Sequence, residues 1–447
     1  MEIFKTNNST ENLREIAEKV QSEYFFLVQE NAEIEFLPNA AERFLQIAKE
    51  TKAGLLYADY CQVDTFSKVQ NFGKVYVPTI EYQAGSVRND FDFGDVLCVQ
   101  TEIFKEILKN VRAGRALPLQ YAGLYFLRLK ISEKLPIFHI PETLYLTKKC
   151  VVSSAESNQF AYVNANNRNV QIEMEHAFTQ FLKETGKLIN HKNLIEIDYQ
   201  ARNDTTDFEV EASVIIPVKN REKTIGDAIK SVLAQKTNFE FNLLIVDNYS
   251  DDKTPEIIKK FAENSPKIIH IIPQNRFLNI GGCWNEAINC QKCGKFAVQL
   301  DSDDLYKDEN TLQKIVDEFY RQKSAMIIGS YTIVDFDLQP LPAGDIKHLE
   351  WTAENGMNNA LRINGFGAPR AFYTPIVRKI GFPNVSYGED YAVALRISRE
   401  WKIGRIFDSI YLCRRWENNS DANIDIKKLN EFNFYKDKIR TIELAAR

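Results

Sequence analysis

Lys295-Phe-Ala-Val-Gln-Leu-Asp-Ser-Asp-Asp304 runs an apolar strand straight into three carboxylates within four residues. Carboxylates are costly to crowd at the end of a buried strand unless they share a cation. Such a tip suits Mg²⁺ or Mn²⁺, which take carboxylates, waters and substrate phosphates. The plainer reading is an acidic strand-to-helix turn, with an aspartate capping a helix that starts near Leu312. The surroundings favour the first reading.

From Ala212 a βα series leads up to this tip. Ser213-Val-Ile-Ile-Pro217 and Phe241-Asn-Leu-Leu-Ile-Val246 are short buried strands, and Ile268–Ile272 is a third. Helices are expected over Lys223–Ala234, Thr254–Asn264 and Asn285–Cys293, the first from apolar residues at helical spacing. Alternation of this kind predicts an α/β fold with a mostly parallel sheet and helices on both faces. Ligands of such sheets gather at the carboxyl ends of the strands. Pro217–Asn220, Asp247–Asp252 and Asp301–Asp304 all fall there, so one crevice is expected, with room for a base and a metal-bridged diphosphate. Lys219 and Arg221 add positive charge; singly, each also fits a solvated loop.

These stretches resemble the family-two glycosyltransferases of the GT-A fold over residues 212–415. The matching motifs are Ser213–Asn220, Val246–Thr254, Asn279–Asn289, Gln299–Asp304 and Gly388-Glu-Asp390, in the family's order. The resemblance implies transfer of a sugar from a nucleotide donor with inversion at the anomeric carbon. It places donor contacts at Pro217, Lys219, Asn220, Arg221, Asp247, Asn248, Asp301 and Ser302. It places Asp303 on a Mn²⁺ or Mg²⁺ ion, with Asp301 and Asp304 completing the acidic cluster. Asp390 takes the position of the catalytic base, with Glu389 beside it. A sugar hydroxyl is a poor nucleophile at neutral pH, so a positioned carboxylate must take its proton. Glu389 and Asp390 also suit the first turn of a helix over Tyr391–Trp401, and the two uses are compatible.

Some residues depart from the family pattern. Asn248 stands where many members carry a second aspartate that reads uracil, so the donor is a UDP-sugar or another NDP-sugar. Lys219 replaces a frequent aromatic. Arg414, Arg415 and Trp416 in Cys413–Ser420 are candidates for contact with diphosphate or sugar. The glycine-rich loop Asn364–Arg370 is a candidate wall of the acceptor pocket.

Composition narrows the partners. The 447 residues are 44% hydrophobic and 26% charged, with a net charge of −5. That balance gives no electrostatic case for nucleic acid or an anionic membrane. No apolar run approaches the ~18 residues that span a bilayer, and no apolar signal core opens the chain. A cytoplasmic protein, at most peripheral at the inner face of the membrane, is expected. Cys290 and Cys293 form a lone C-x-x-C without further zinc ligands at suitable spacing, so the seven cysteines are read as reduced thiols.

The amino-terminal part carries its own signal. Tyr24–Glu33 aligns with Lys295–Asp304, and Tyr60–Asp64 with Tyr331–Asp335, both 271 residues apart. Leu127-Arg128 matches Leu395-Arg396, and Tyr145-Leu146 matches Tyr411-Leu412, at slightly smaller spacings. Residues 10–148 therefore look like a degenerate copy of the second half of the catalytic domain. Ala32 falls opposite Asp303 and Ala122 opposite Asp390, so the copy should be catalytically dead. The expected organisation is a non-catalytic GT-A-like domain over 1–150, a connector with a helix over 151–208 (helical around Glu173–Lys187), and a catalytic domain over 209–447. The copy would extend the acceptor site or mediate self-association into a homo-oligomer. The acceptor is expected to be a glycan or a lipid-linked glycan of surface polysaccharide synthesis. Two other readings stay open: a non-catalytic nucleotide-sugar or glycan binder, and a nucleotidyltransferase. The latter would usually show a glycine-rich, basic signature after its first strand, and Val218-Lys-Asn-Arg221 has no glycine.

Overall fold

The computed structural model describes residues 2–63, 74–110, 119–149, 168–200, 208–416 and 424–447. The expected features at Asn203–Asp207 and Glu417–Ser420 lie outside them. The chain divides into two compact units. One comprises Met1–Leu188, Leu361–Ile363 and Ile424–Arg447; the other comprises Ile189–Ala360 and Asn364–Asn423.

The first unit opens with β1 (Ile3–Thr6), α1 (Thr10–Lys19), β2 (Tyr24–Gln29), β3 (Ala32–Phe36), α2 (Ala40–Thr51) and β4 (Leu55–Val63). It continues with β5 (Lys74–Val77), β6 (Val96–Gln100), α3 (Thr101–Asn110), α4 (Gly123–Lys134), β7 (Ile137–Lys149) and α5 (Arg168–Glu184). Its sheet runs β1-β2-β6-β4-β7-β3, with β5 on the outside of β4. β2 is the spine: Phe25 and Phe26 are fully buried and meet Phe104 and Phe44 edge to face at 4.9 and 5.5 Å. Ser9 caps α1 by accepting the Asn12 N–H at 3.2 Å.

The second unit holds β8 (Ala212–Val218), α6 (Ile225–Leu233), β9 (Phe241–Asp247), α7 (Thr254–Asn264), β10 (Ile268–Ile271), α8 (Ile280–Asn289), β11 (Phe296–Gln299) and β12 (Leu305–Tyr306). It then adds α9 (Thr311–Gln322), β13 (Met326–Val334), β14 (Pro340–Ile346), α10 (Gly356–Asn359), β15 (Arg370–Tyr373), α11 (Thr374–Ile380), α12 (Glu389–Glu400) and β16 (Ile403–Arg414). The last helix of the chain, α13 (Ile426–Ala446), belongs to the first unit. There the backbone of Gly85 comes so near α13 that a Cβ would lie 2.1 Å from the Asp437 carbonyl oxygen, so only glycine fits.

The second sheet runs β10-β9-β8-β11-β15-β13-β16-β12, with β14 on β13. Its first four strands are parallel, as the continuous apolar runs imply. β15 then enters antiparallel between β11 and β13, so the sheet as a whole is mixed. This insertion brings Arg370 beside the end of β11. Two helices start well before their expected bounds: α5 at Arg168, five residues before Glu173, and α8 at Ile280, five residues before Asn285. Gly281-Gly282 looks like a helix breaker in sequence, but the glycines are needed inside α8. A Cβ on Gly281 would sit 1.9 Å from the Pro383 carbonyl oxygen. Cys290 and Cys293 are free thiols.

Candidate active site

The loops after β8 and β9 are laced together by side chains. Asn220 adopts a left-handed φ of 54°. Its N–H donates to Ser250 Oγ at 2.9 Å, and its Oδ1 accepts the Asp251 N–H at 2.9 Å. Across the same gap the Glu222 N–H donates to Asp252 Oδ2 at 3.0 Å, and Glu222 Oε2 accepts the Lys253 N–H at 3.1 Å. Asn220 is thus spent on shaping the rim. Asp247 ends β9 nearly fully buried. Burial pushes its carboxyl up, but the His270 imidazole 3.5 Å away and the hydrogen bond from the Ser250 N–H outweigh it and hold the group below the ordinary carboxylate range. Asn248 donates its amide Nδ2 to the Leu278 carbonyl at 2.8 Å, and its buried Oδ1 meets no donor among the described residues. Pro217 is half-buried within β8, and Lys219 is exposed beyond its end.

The acidic tip forms a turn closed by the Asp304 N–H on the Asp301 carbonyl at 3.2 Å. Its side chains diverge. Asp301 Oδ1 accepts from Gln299 Nε2 at 2.8 Å, while its N–H donates to the Tyr411 hydroxyl at 3.0 Å. Asp303 Oδ2 accepts from Trp416 Nε1 at 3.2 Å and lies 3.9 Å from Arg221 Nε. Asp304 turns inward to accept the Arg414 N–H at 2.8 Å. Arg414 Nε donates to the Asp303 backbone carbonyl, and its Nη1 lies 3.4 Å from Asp227 Oδ2. Ser302 is buried, and the Arg415 N–H donates to Val334 at 2.8 Å as β16 ends.

Among the described residues, no three His, Cys, Asp or Glu side chains are placed to hold one metal ion. Of the three carboxylates of the tip, Asp304 is bonded to the end of β16. The like charges still interact. Burial first, then the neighbouring charges of Asp303 and Asp301, raises the Asp304 carboxyl well above its ordinary range. Asp301 is raised too, by burial, with Arg370 opposing.

The third part is the Gly388–Asp390 corner. Gly388 takes a left-handed φ of 86° and lets α12 begin at Glu389. Asp390 Oδ1 accepts the Tyr391 N–H at 2.7 Å. Asp390 Oδ2 lies 2.8 Å from Arg370 Nη1. Glu389 is buried against α8, whose Gly281 would carry a Cβ only 3.1 Å from Glu389 Cβ. Burial first, and then the Asp390 charge, pushes the Glu389 carboxyl up to about 8. The Asn279 N–H donates to Asn384 Oδ1 at 2.7 Å, so the Asn279–Asn289 motif braces this corner from behind.

Arg370 ties the corner to the tip. Its N–H donates to Gln299 Oε1 at 3.1 Å, and Gln299 in turn holds Asp301. The charges of Asp390, Asp301 and Glu389 act together on its guanidinium and, against burial, hold its pKa above the usual arginine value. The sequence named Arg370, Gln299 and Tyr411 only inside longer stretches, without a role of their own. Gln299 carried the one available signal, a polar residue inside an apolar strand.

The profile of Glycosyl transferase family 2 matches residues 213–370. This segment belongs to that family. The family segment holds the two laced loops and the acidic tip and ends at Arg370, short of the Glu389–Asp390 corner. Among relatives, the minor teichoic acid biosynthesis protein GgaB of Bacillus subtilis is 24% identical over 48% of this chain and 24% of its own length. The UDP-Glc:alpha-D-GlcNAc-diphosphoundecaprenol beta-1,3-glucosyltransferase WfgD of Escherichia coli is 30% identical over 28% of this chain and 46% of its own length. The chain thus spans less than half the length of these curated relatives. Residues 1–349 of S. aureus TarS with UDP-GlcNAc align at 21% identity and a TM-score of 0.41, over 52% of this chain and 70% of that one. No described helix is long and apolar enough to cross a membrane.

Proposed function

We propose that the second unit is an inverting, metal-dependent glycosyltransferase that moves a sugar from a nucleotide-sugar donor to a hydroxyl acceptor. The observation that carries this reading is that Arg370 joins two separate motifs: its Nη1 lies 2.8 Å from Asp390 Oδ2, and its N–H is held by Gln299, which also holds Asp301 Oδ1. The laced loops offer Asp247 and the rim cations Lys219 and Arg221 to the nucleotide. Asp390 Oδ2 is the proton acceptor for the attacking hydroxyl, which enters opposite the leaving nucleotide diphosphate and inverts the anomeric carbon.

The acidic tip fits a divalent ion bound chiefly by the donor. Mg²⁺ takes one or two protein carboxylates and fills its remaining positions with waters and substrate phosphates. Asp303, with Asp301 beside it, supplies that number, and their mutual repulsion is what a cation relieves. When bound, the ion neutralises charge on the departing diphosphate.

By analogy with the named relatives, the acceptor is a surface glycan or a lipid-linked glycan, made at the cytoplasmic side of the membrane. We read residues 1–150 as a non-catalytic copy, 151–208 as a connector and 209–447 as the catalytic domain. Sheet order supports the copy: β1-β2-β6-β4-β7-β3 follows the same order and sense as β8-β11-β15-β13-β16-β12. Both strand pairs, β4 with β7 and β13 with β16, shift register on either side of one residue, Asp59 in β4 and Ser330 in β13. Beyond the break Tyr60 faces Tyr145, as Tyr331 faces Tyr411. Where Asp390 would stand, the copy has Ala122, and Glu173 instead accepts the Tyr121 and Ala122 N–H groups at 2.7 and 3.3 Å. Incubation with Mn²⁺ and a panel of nucleotide sugars, read as nucleotide release with and without glycan acceptors, tests the activity. Tight nucleotide binding without turnover of any donor would favour the binder instead.

A further inference from the structure

We infer that Arg370 is a positioning residue for the base, holding the Asp390 carboxylate in its productive orientation. This rests on the glycosyl-transfer reading above and gives Arg370, which closes the Asn364–Arg370 loop, a role that the sequence did not assign to it.

The argument starts from how completely Arg370 is fixed. It is the first residue of β15, a strand held on both edges by β11 and β13. Its own N–H is bound by Gln299 at 3.1 Å. Its Nη1 donates to the Gly367 carbonyl at 2.8 Å, in a loop where Gly367 takes a φ of 95°. The guanidinium is therefore anchored at both ends before it meets any carboxylate. The side chain is mostly buried, at 18% exposure.

Asp390 is then held at both oxygens. The helix N-terminus fixes Oδ1 through the Tyr391 N–H at 2.7 Å, and Arg370 fixes Oδ2 at 2.8 Å. A carboxylate has about four lone-pair sites. Two bonds leave others free, so the constraint orients the group without consuming it as a proton acceptor. Without Arg370 only the helix end would restrain the carboxylate, and χ2 of an aspartate is a broad torsion. Misplacement of a reacting group by about 1 Å can cost on the order of 10²-fold in rate. The bonds to Gly367 and Asp390 both use Nη1, so the competing role for Arg370, binding of the donor diphosphate through Nε or Nη2, is separated by the effect on donor Kd.

The test compares the wild-type chain with Arg370→Ala, Arg370→Lys, Asp390→Asn and the Arg370→Ala/Asp390→Asn double variant. With a donor that the wild type turns over, Arg370→Ala should lower kcat about 10²-fold and leave donor Kd, measured with Mn²⁺, within about threefold. Arg370→Lys should recover part of the loss, and added guanidinium ion should raise the kcat of Arg370→Ala but not of Asp390→Asn. A normal kcat in Arg370→Ala, or a donor Kd weakened more than tenfold with kcat retained, overturns the inference while leaving glycosyl transfer standing. Failure of the wild type to turn over any donor would instead count against the functional reading. The pairing is then judged by urea unfolding of the same four proteins. Non-additive stabilities of the single and double variants support it, and additive ones overturn it.

Discussion

The Arg414 N–H donates to Asp304 Oδ1 at 2.8 Å, so the last strand of the second sheet ends on the acidic turn that follows β11. This bond separates the roles of three carboxylates that look equivalent in the sequence. Asp304 is nearly fully buried and bonded to the strand end, whereas the Asp303 side chain is 14% exposed. Asp303→Ala should therefore weaken nucleotide-sugar binding more than tenfold in the presence of Mn²⁺ and change it little in EDTA. Calorimetric titration in both conditions checks this. Equal affinity of variant and wild type with Mn²⁺ would remove Asp303 from the metal site.

Asp390→Asn preserves the shape of the side chain and an oxygen acceptor but cannot take a proton. Donor affinity should stay within about threefold, while turnover falls by roughly 10²–10⁴, the usual contribution of a positioned base. Measuring kcat and donor Kd on the same preparation separates the two, and normal turnover would refute the base assignment.

Gly281→Ala places a methyl group 1.9 Å from the Pro383 carbonyl oxygen and 3.1 Å from Glu389 Cβ. Backbone must move to admit it, at a cost of about 1–3 kcal/mol. The loss should appear as a lower urea midpoint, and turnover should fall with it because the displaced segment carries Glu389 and Asp390. An unchanged midpoint would show that α8 does not brace the corner.

That brace shows where the sequence was legible. The buried strands Ser213–Pro217 and Phe241–Val246 announced themselves as apolar runs. Helix α7 keeps its expected bounds, Thr254–Asn264, because threonine and proline open it with helical spacing behind. Gly281-Gly282 gave the opposite signal to its use, since a close approach to Pro383 is a tertiary fact. Arg370 was hidden for the same reason: it stands 69 residues after Asp301 and 20 before Asp390, and only the antiparallel entry of β15 joins them. Nothing local in residues 424–447 says that α13 packs within the first unit.

The Glu389 carboxyl gives a pH signature. Its folded pKa is raised to about 8, chiefly by burial, from an ordinary value near 4.5. Between those limits the folded chain keeps a proton that the unfolded chain releases, so stability falls as pH rises, by at most about 1.4 kcal/mol per pH unit. Above about pH 8 both states have released it and the slope ends. Glu389→Gln removes the titration while keeping a neutral side chain of the same shape. The melting temperature of the variant should match the wild type near pH 5, exceed it by a growing margin up to pH 8, and keep that margin above. Parallel melting curves across the whole range would show that Glu389 titrates in the folded chain as it does in the unfolded one.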